Sequence, residues 1–447
     1  MSSSPLPPNN PPSDAAAAPN EPPKAALTTL LMVVFADMLG FGVIIPSLPL
    51  YAEKYGASPL EVGLLFTLYS ACQFLAAPVL GLLSDHYGRR PVLAISQVGT
   101  VAGYLLLGYA MLAPFHNPQT ALWLIYLSRI IDGLSGGNIA TAQAYIGDIS
   151  GPHNRAARMG LMGAAFGVGF SAGPAIGGAL SLLHPAAPAF GAAAFTGLAL
   201  AMTIARLPES RVRGARGGET AESWLHPARF MPVLRNPILG QMMFIGFVSM
   251  LAYVMLEPFF ALYLNNLYGL GQTAVNWFFA IAGFTIIIVQ GGLIGPLTRR
   301  MGEWTLTIAG PFVAAVAQIM FVAAVYERML PIVVIASVIN ATGRSIWFPT
   351  LNSLISRHAT VDTQGVTFGL FHSLLSLSRV FGPLIAGVIY TRHVAGPFVL
   401  AGALLLIVGV WTIFVRRRAA LSEPGGRGFE VVLPASKNLP ATEATAP

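Results

Sequence analysis

The stretch AALTTLLMVVFADMLGFGVIIPSLPL, residues 25–50, is 26 residues long and carries one ionisable side chain, Asp37. A helix needs about 20 predominantly apolar residues to cross a hydrocarbon core roughly 30 Å thick, so this run is long enough to span a membrane. Similar runs recur along the chain. Of its 447 residues, 55% are hydrophobic and only 10% charged, with a mean hydropathy of +0.67. A soluble protein of this size carries about 25% charged residues. The composition therefore indicates an all-α integral membrane protein, since a helix satisfies its own backbone groups within lipid.

Apolar runs set against loop signals predict twelve spans, near 25–50, 60–82, 91–113, 120–146, 157–183, 187–206, 239–264, 274–297, 304–325, 330–355, 366–390 and 394–416. Ser58-Pro59-Leu60-Glu61 has the form of a capping box with proline at the first helical position, which marks the start of the second span. Residues 1–24 are rich in Pro, Ala and Ser and lack the basic and apolar regions of a cleaved signal; they and residues 419–447 are expected to be disordered cytoplasmic segments. Of 25 Lys and Arg, three (Arg129, Arg344, Arg379) lie within spans and three (Lys54, Arg328, Arg392) in loops on one side, leaving nineteen on the other. That bias places both termini and the 207–238 loop in the cytoplasm. It also accounts for the net charge of +7 without a nucleic-acid partner. The lone cysteine, Cys72, excludes an intramolecular disulfide and reads as packing.

The chain repeats itself. Ile45-Pro46-Ser47-Leu48-Pro49-Leu50-Tyr51 aligns with Glu257-Pro258-Phe259-Phe260-Ala261-Leu262-Tyr263 at an offset of 212. Gly81, Gly88 and Arg89 flank the loop between spans two and three; at an offset of 214, Gly295 and Gly302 flank the equivalent loop after span eight, whose basic pair is Arg299-Arg300. Gly173-Pro174-Ala175-Ile176-Gly177-Gly178 aligns with Gly382-Pro383-Leu384-Ile385-Ala386-Gly387 at 209. A six-helix unit is thus present twice, as bundles at 25–206 and 239–418 joined by a 207–238 linker. Two such halves around a central cavity form a transporter architecture in which the halves rock about a shared site.

Three motifs carry charge or backbone proximity into this frame. GLLSDHYGRRPVL, residues 81–93, packs Gly81, Asp85, Gly88, Arg89 and Arg90 into a short loop. The basic pair either sets topology alone or belongs to a gate in which Asp85 meets the positive N-terminus of span eleven. LSRIIDGLSGGNIATAQAYIGDIS, residues 127–150, sets Arg129 and Asp132 on one helix face, with Asn138 and Gln143 beyond. Charge inside a span costs about 3 kcal/mol at the helix centre, so such residues face a bundle interior and serve function or form an internal ion pair. Asp148, near Arg155 and Arg158, reads as a tether between the halves. GLMGAAFGVGFSAGPAIGG, residues 160–178, strips side chains from one face, with Gly163 and Gly167 four apart and Gly169, Gly173 and Gly177 likewise; Gly178 follows, and Pro174 adds a bend.

These stretches, with FADMLGFGVIIPSLPLYA at residues 35–52, resemble the major facilitator superfamily, and within it the tetracycline-efflux and multidrug:proton antiporter branch. The resemblance covers roughly residues 25–418 and implies a twelve-helix fold in the bacterial inner membrane. It further implies a functional monomer that exports amphipathic organic compounds against inward proton flow, with no cofactor and no metal. By the same likeness Arg129 belongs to a motif associated with proton coupling, and the span-five glycines to the motif that marks antiporters. A symporter or uniporter for a sugar, organic acid or peptide would use the same architecture, and a membrane sensor without flux is a further alternative.

Asp37 lies roughly 18 Å from the cytoplasmic end of span one at 1.5 Å per residue, and Arg129 roughly 14 Å from the outer end of span four. They share a level and are candidates to pair, exchanging with a proton or a cationic substrate. In the second half Glu257 is either a cation contact or an interfacial residue, and Arg344 faces the cavity. Arg379 and His372 share a face of span eleven, the histidine either relaying protons or bonded to a carbonyl. Trp277, Trp304 and Trp347 include candidate interfacial anchors. Gly133-Leu134-Ser135-Gly136-Gly137 satisfies G-x-S-x-G yet falls mid-span, so no nucleophile elbow and no enzyme is read from it. No phosphate-binding G-x4-G-K-[ST] occurs, and the sequon at Asn340 lies within a span.

Overall fold

The computed structural model describes residues 24–136, 138–210, 231–359 and 364–422, and these are helical without a strand. Residues 1–23, 423–447 and most of the linker lie outside the described residues, while Lys24 and residues 419–422, expected to be disordered, are helical. The first half comprises α1 (Lys24–Ile44), α2 (Ser47–Lys54), α3 (Pro59–Tyr87), α4 (Arg89–Leu112), α5 (Pro118–Ser135), α6 (Asn138–Ile149), α7 (Pro152–Ser181) and α8 (Ala187–Arg206). A short α9 (Met231–Arg235) sits at the end of the predicted linker. The second half follows with α10 (Leu239–Tyr268), α11 (Gln272–Ile288), a π-helical turn (Val289–Leu293), α12 (Ile294–Met301), α13 (Glu303–Glu327), α14 (Leu330–His358), α15 (Gln364–Tyr390) and α16 (Gly396–Ser422). Among the described residues, 11 helical stretches are long and apolar enough to cross a membrane. The fourth predicted span is the exception, because it is divided between α5 and α6.

Local chemistry sets the boundaries. The Ser58 N–H donates to Glu61 Oε2 at 2.7 Å while Ser58 Oγ accepts from the Glu61 N–H at 3.3 Å, the reciprocal capping box read from the sequence. Span one ends early because Pro46 cannot donate within the helix, and the chain restarts as α2. Span eight is continuous from α11 to α12 but widens to a π turn at Gly291 and Gly292. At the far end α16 continues to Ser422, four residues past the expected limit.

The internal repeat reappears as paired contacts. The Tyr55 hydroxyl donates to the Ala110 carbonyl at 3.1 Å, and Tyr268 donates to Ala324 at 2.9 Å. His184 Nδ1 accepts from the Ala186 N–H at 3.1 Å, and His393 from Ala395 at 3.2 Å. Gly88 and Gly302 turn the chain at equivalent points with φ of 103° and 77°, a region that glycine enters freely. One apolar core draws only on residues 233–415, and the other mainly on 39–193 with Met255, Phe259, Leu262, Ala386 and Tyr390 reaching across.

The halves meet along α7 against α11 and α3 against α15, and both seams loosen in the same direction. A Cβ placed on Gly178 would lie 3.2 Å from Asn276 and one on Gly167 3.9 Å from Gln290, while at Gly163 and Gly160 nothing lies within 4 Å. On the other seam, a Cβ on Gly387 would stand 3.0 Å from the Pro59 carbonyl, and one on Gly369 meets nothing. Gln272 Nε2 donates to Ser47 Oγ at 2.8 Å, and Asn266 Nδ2 to Glu53 Oε1 at 3.0 Å, across the tight end. The molecule is therefore closed at the face bearing α2 and parted toward the face bearing the α3–α4 turn.

The span-five glycines divide accordingly. Gly169, Gly173 and Gly177 pack on α1, where Cβ atoms would come within 2.5 Å of the Phe35 carbonyl, 2.7 Å of Gly42 and 2.8 Å of the Val43 carbonyl. Gly163 and Gly167, expected on a close-packed face, have no such neighbour. Gly173→Ala is expected to destabilise the protein by about 1–3 kcal/mol through overpacking against backbone that cannot yield. Gly163→Ala is expected to leave thermal unfolding of the detergent-solubilised protein unchanged, and comparison of the two melting curves checks this.

Candidate functional site

The break in span four creates the first site. A helix that stops inside a membrane leaves its last carbonyls without partners, and side chains must supply them. Ser96 Oγ on α4 donates to the Ser135 carbonyl, and Gln73 Nε2 on α3 donates to the Gly136 carbonyl at 2.9 Å. Beyond the break α6 begins at Asn138, whose Nδ2 donates to Asp37 Oδ2 on α1 at 2.5 Å. Asp37 is only 8% exposed, and its Oδ1 has no partner among the described residues. The carboxyl thus sits at the positive end of a half-helix.

Arg129 does not pair with Asp37. Its Nη1 bonds Asp132 Oδ2 at 3.0 Å, one turn on along α5, and both side chains are about 98% buried. Tyr104 separates it from α1. That ring packs against Gly40 and lies 5.6 Å beneath the guanidinium, with Tyr69 6.0 Å away on the other helix. A nearer carboxylate and an intervening ring, neither of which depth along a helix takes into account, decide the pairing. Gln143 is half-buried further along α6.

The GLLSDHYGRRPVL loop folds into a closed network. Arg89, nearly buried, bonds Asp85 at 2.6 Å, Asp148 at 3.0 Å and Ser84 Oγ at 2.6 Å. Glu209, which the sequence reading missed, accepts from the backbone N–H groups of Arg89 and Arg90 at 2.8 and 3.1 Å, capping α4 with an acid. Arg90 reaches the Ile204 carbonyl. Asp148 therefore ties loop to helix within the first half and not between halves, while Arg158 bonds the Ile149 carbonyl and the side chain of Arg155 lies outside the described residues. The residues preceding α15, toward which Asp85 was expected to point, also lie outside them. The equivalent turn of the second half carries the reverse polarity. Glu303 stands where Arg89 does, Arg357 where Asp148 does, and they bond at 3.0 Å, with Ser353 donating to Glu303.

A second site lies between the halves, a cleft of about 820 Å³ including its mouth. Glu257 and Arg344 pair within it at 2.9 Å, so neither is an interfacial residue. The Arg344 guanidinium lies 5.5 Å from Phe170 of the first half and 5.7 Å from Tyr253. Phe260, Phe279, Pro174 and Asn340 complete much of the wall. Asn340, set aside as a sequon, accepts from Gln318 Nε2 at 2.9 Å. His372 packs its ring beside Phe371 at 5.9 Å with no carbonyl partner among the described residues, and Trp347 is core, 5.5 Å from Tyr253.

The model of the Major Facilitator Superfamily matches residues 30–383. The chain is 31% identical over 385 residues to the class C tetracycline resistance protein of Escherichia coli, an alignment covering 84% of this chain and 93% of that protein. It is 28% identical over 381 residues to multidrug resistance protein 1 of Bacillus subtilis strain 168, covering 84% and 92%. Among solved structures, the human organic anion transporter MFSD10 (TETRAN) superposes with a TM-score of 0.63 at 24% identity, covering 88% of this chain and all of that one; at that identity the likeness speaks to fold alone.

The two buried acids should respond differently to amidation. Asp37→Asn keeps an acceptor for Asn138 and is expected to change unfolding stability by less than about 1 kcal/mol. Asp132→Asn leaves the Arg129 charge buried without a counter-ion and is expected to cost about 3–5 kcal/mol. Thermal unfolding of both variants in detergent micelles checks the contrast.

Proposed function

The chain belongs to the major facilitator superfamily, and from that premise we propose that it is a proton-coupled antiporter exporting amphipathic organic compounds from the cytoplasm. The observation that carries this reading is Asp37, a carboxyl buried in the first half, held by one amide and left with one oxygen unbonded. A group so placed is suited to exchange a proton rather than to stabilise the fold. The aromatic cleft with its Glu257–Arg344 pair and Asn340 suits a compound with an apolar body and few polar groups. The names of the tetracycline and multidrug resistance relatives support the same substrate class.

In the proposed cycle the state with the parted face toward the cytoplasm receives the compound, and Asp37 gives up its proton. Closure of that face and opening of the α2 face release the compound outward, and reprotonation of Asp37 returns the carrier. The proton gradient supplies the energy, and the small-molecule substrate and lipid are the partners of a functional monomer. Nineteen basic residues on one side support cytoplasmic termini in a bacterial inner membrane.

Two measurements test the reading. In an efflux-deficient bacterium, wild type is expected to raise tolerance to tetracycline or another amphipathic drug, and Asp37→Asn to abolish that gain at equal expression; no drug separating the two defeats it. A Cβ on Gly178 would lie 3.2 Å from that of Asn276, near the roughly 3.5–4.5 Å of disulfides. In a Cys72→Ser background, Gly178→Cys with Asn276→Cys is therefore expected to stop export on oxidation and recover it on reduction, because opening of the α2 face is required.

A further inference from the structure

The membrane-embedded arginines differ in one respect. Arg129 has Asp132 and Arg344 has Glu257, each within 3.0 Å. Arg379 on α15 has no ion pair or hydrogen bond among the described residues. It is half-buried, and the charged groups acting on it are Glu257 and Arg344 of its own half, with the Tyr69 phenol across the interface. Its position is fixed on both sides. Ser378 Oγ donates to the Phe247 carbonyl of α10 at 2.8 Å, and Thr67 Oγ1 of α3 donates to the Val380 carbonyl at 2.8 Å. The helix cannot turn this side chain to lipid without breaking both bonds.

We propose that Arg379 is an anion-recognition point between the halves, so that exported compounds carrying a carboxylate or similar acidic group dock that group on its guanidinium and their apolar body against Phe170, Phe260 and Phe279. The proposal rests on the export reading and narrows its substrate class. Glu257 is committed to Arg344, so this region carries one uncompensated positive charge. Holding such a charge inside a membrane protein is costly, and a ligand that brings the counter-charge recovers part of that cost on binding. A guanidinium offers a carboxylate two parallel donors in a fixed fork. Asn340 adds a neutral donor, since Gln318 occupies its oxygen and none of the described residues takes a hydrogen from its Nδ2. Arg379 does not line the cleft itself but stands within electrostatic reach of its Glu257 and Arg344; taken together the cleft and its edge offer donors in excess of acceptors, which favours an acid over an amine.

The test uses the purified full-length chain in detergent and in inside-out vesicles, with three amphipathic acids of different scaffold, among them 11-(dansylamino)undecanoic acid, each beside its methyl ester. Wild type is expected to bind and accumulate each acid about tenfold better than its ester, the effect of one charge-assisted hydrogen-bond pair. Arg379→Gln is expected to weaken acid binding about 10–100-fold and ester binding less than twofold, and Arg379→Lys to recover part of the loss. Equal losses for acid and ester overturn the proposal, because they mark a residue that holds the fold or pairs with a carboxylate of this protein in another state. Equal wild-type handling of acid and ester, or unchanged acid binding in Arg379→Gln, overturns it as well. If wild type still exports tetracycline but binds no acid, the anion site falls and export stands; if it exports neither, both readings fall.

Discussion

Hydrocarbon offers no hydrogen-bond partner, so every polar group placed at membrane depth must be met by protein, and the broken fourth span is where this constraint shapes the molecule most. Interrupting α5 exposes carbonyls that Ser96 and Gln73 must satisfy. Restarting the helix at Asn138 supplies an amide and the positive end of α6 to Asp37. One interruption thus binds α1, α3, α4 and the two pieces of span four together and creates a setting that accommodates a carboxyl apart from the Arg129–Asp132 pair. Lipid solvation explains why polar residues on four helices converge there. Packing alone would have put apolar side chains in their place.

Duplication supplies the scaffold, and departures from it supply the chemistry. Tyr55 and Tyr268, His184 and His393, Gly88 and Gly302 show that the halves keep equivalent backbone contacts. Charges do not follow the repeat. Asp37 aligns with Ser249, and the Arg89–Asp148 bond is mirrored by Glu303–Arg357 in reversed polarity. The acid–base pairing survives the reversal because what the turn requires is neutralisation beside a helix terminus, not a particular sign. A charge without a counterpart, such as Asp37 or Arg379, has no such structural reason to persist.

Much of this was legible in the sequence because the signals were local or periodic. Span length, the capping box at Ser58, and glycines fixed by offset each depend on neighbours along the chain or on a regular repeat. Pairings across helices were less legible. Depth along a helix is one coordinate, and Arg129 with Asp37 agreed in it, yet rotation about the axis and the Tyr104 ring determine contact. Glu209 was missed because its role depends on the chain returning to α4 after three further spans. Two signals were present but read under other headings. Gly136 and Gly137 were weighed only as part of a nucleophile motif, though paired glycines inside a span mark a break, and Asn340 only as a sequon, though an amide within a span needs a partner.

The same geometry bears on how two sites in different halves act as one machine. Between Asp37 and the cleft runs a continuous aromatic layer: Phe41 stacks on Tyr69 at 5.2 Å and meets Phe170 at 6.2 Å, and Phe170 lies 5.5 Å from the Arg344 guanidinium. Phe170 belongs to α7, whose glycines let it press directly on α1, so in the proposed cycle a shift of α1 about Asp37 would move the wall of the cleft with it. A ligand moves a two-state equilibrium only by the difference in its affinity for the two states. A compound held between Phe170 and the second half feels that displacement directly, because one of its walls belongs to each half. In the proposed cycle a proton on Asp37 and a compound in the cleft need share no bond to oppose each other; it suffices that both bias the same packed pair, α1 on α7.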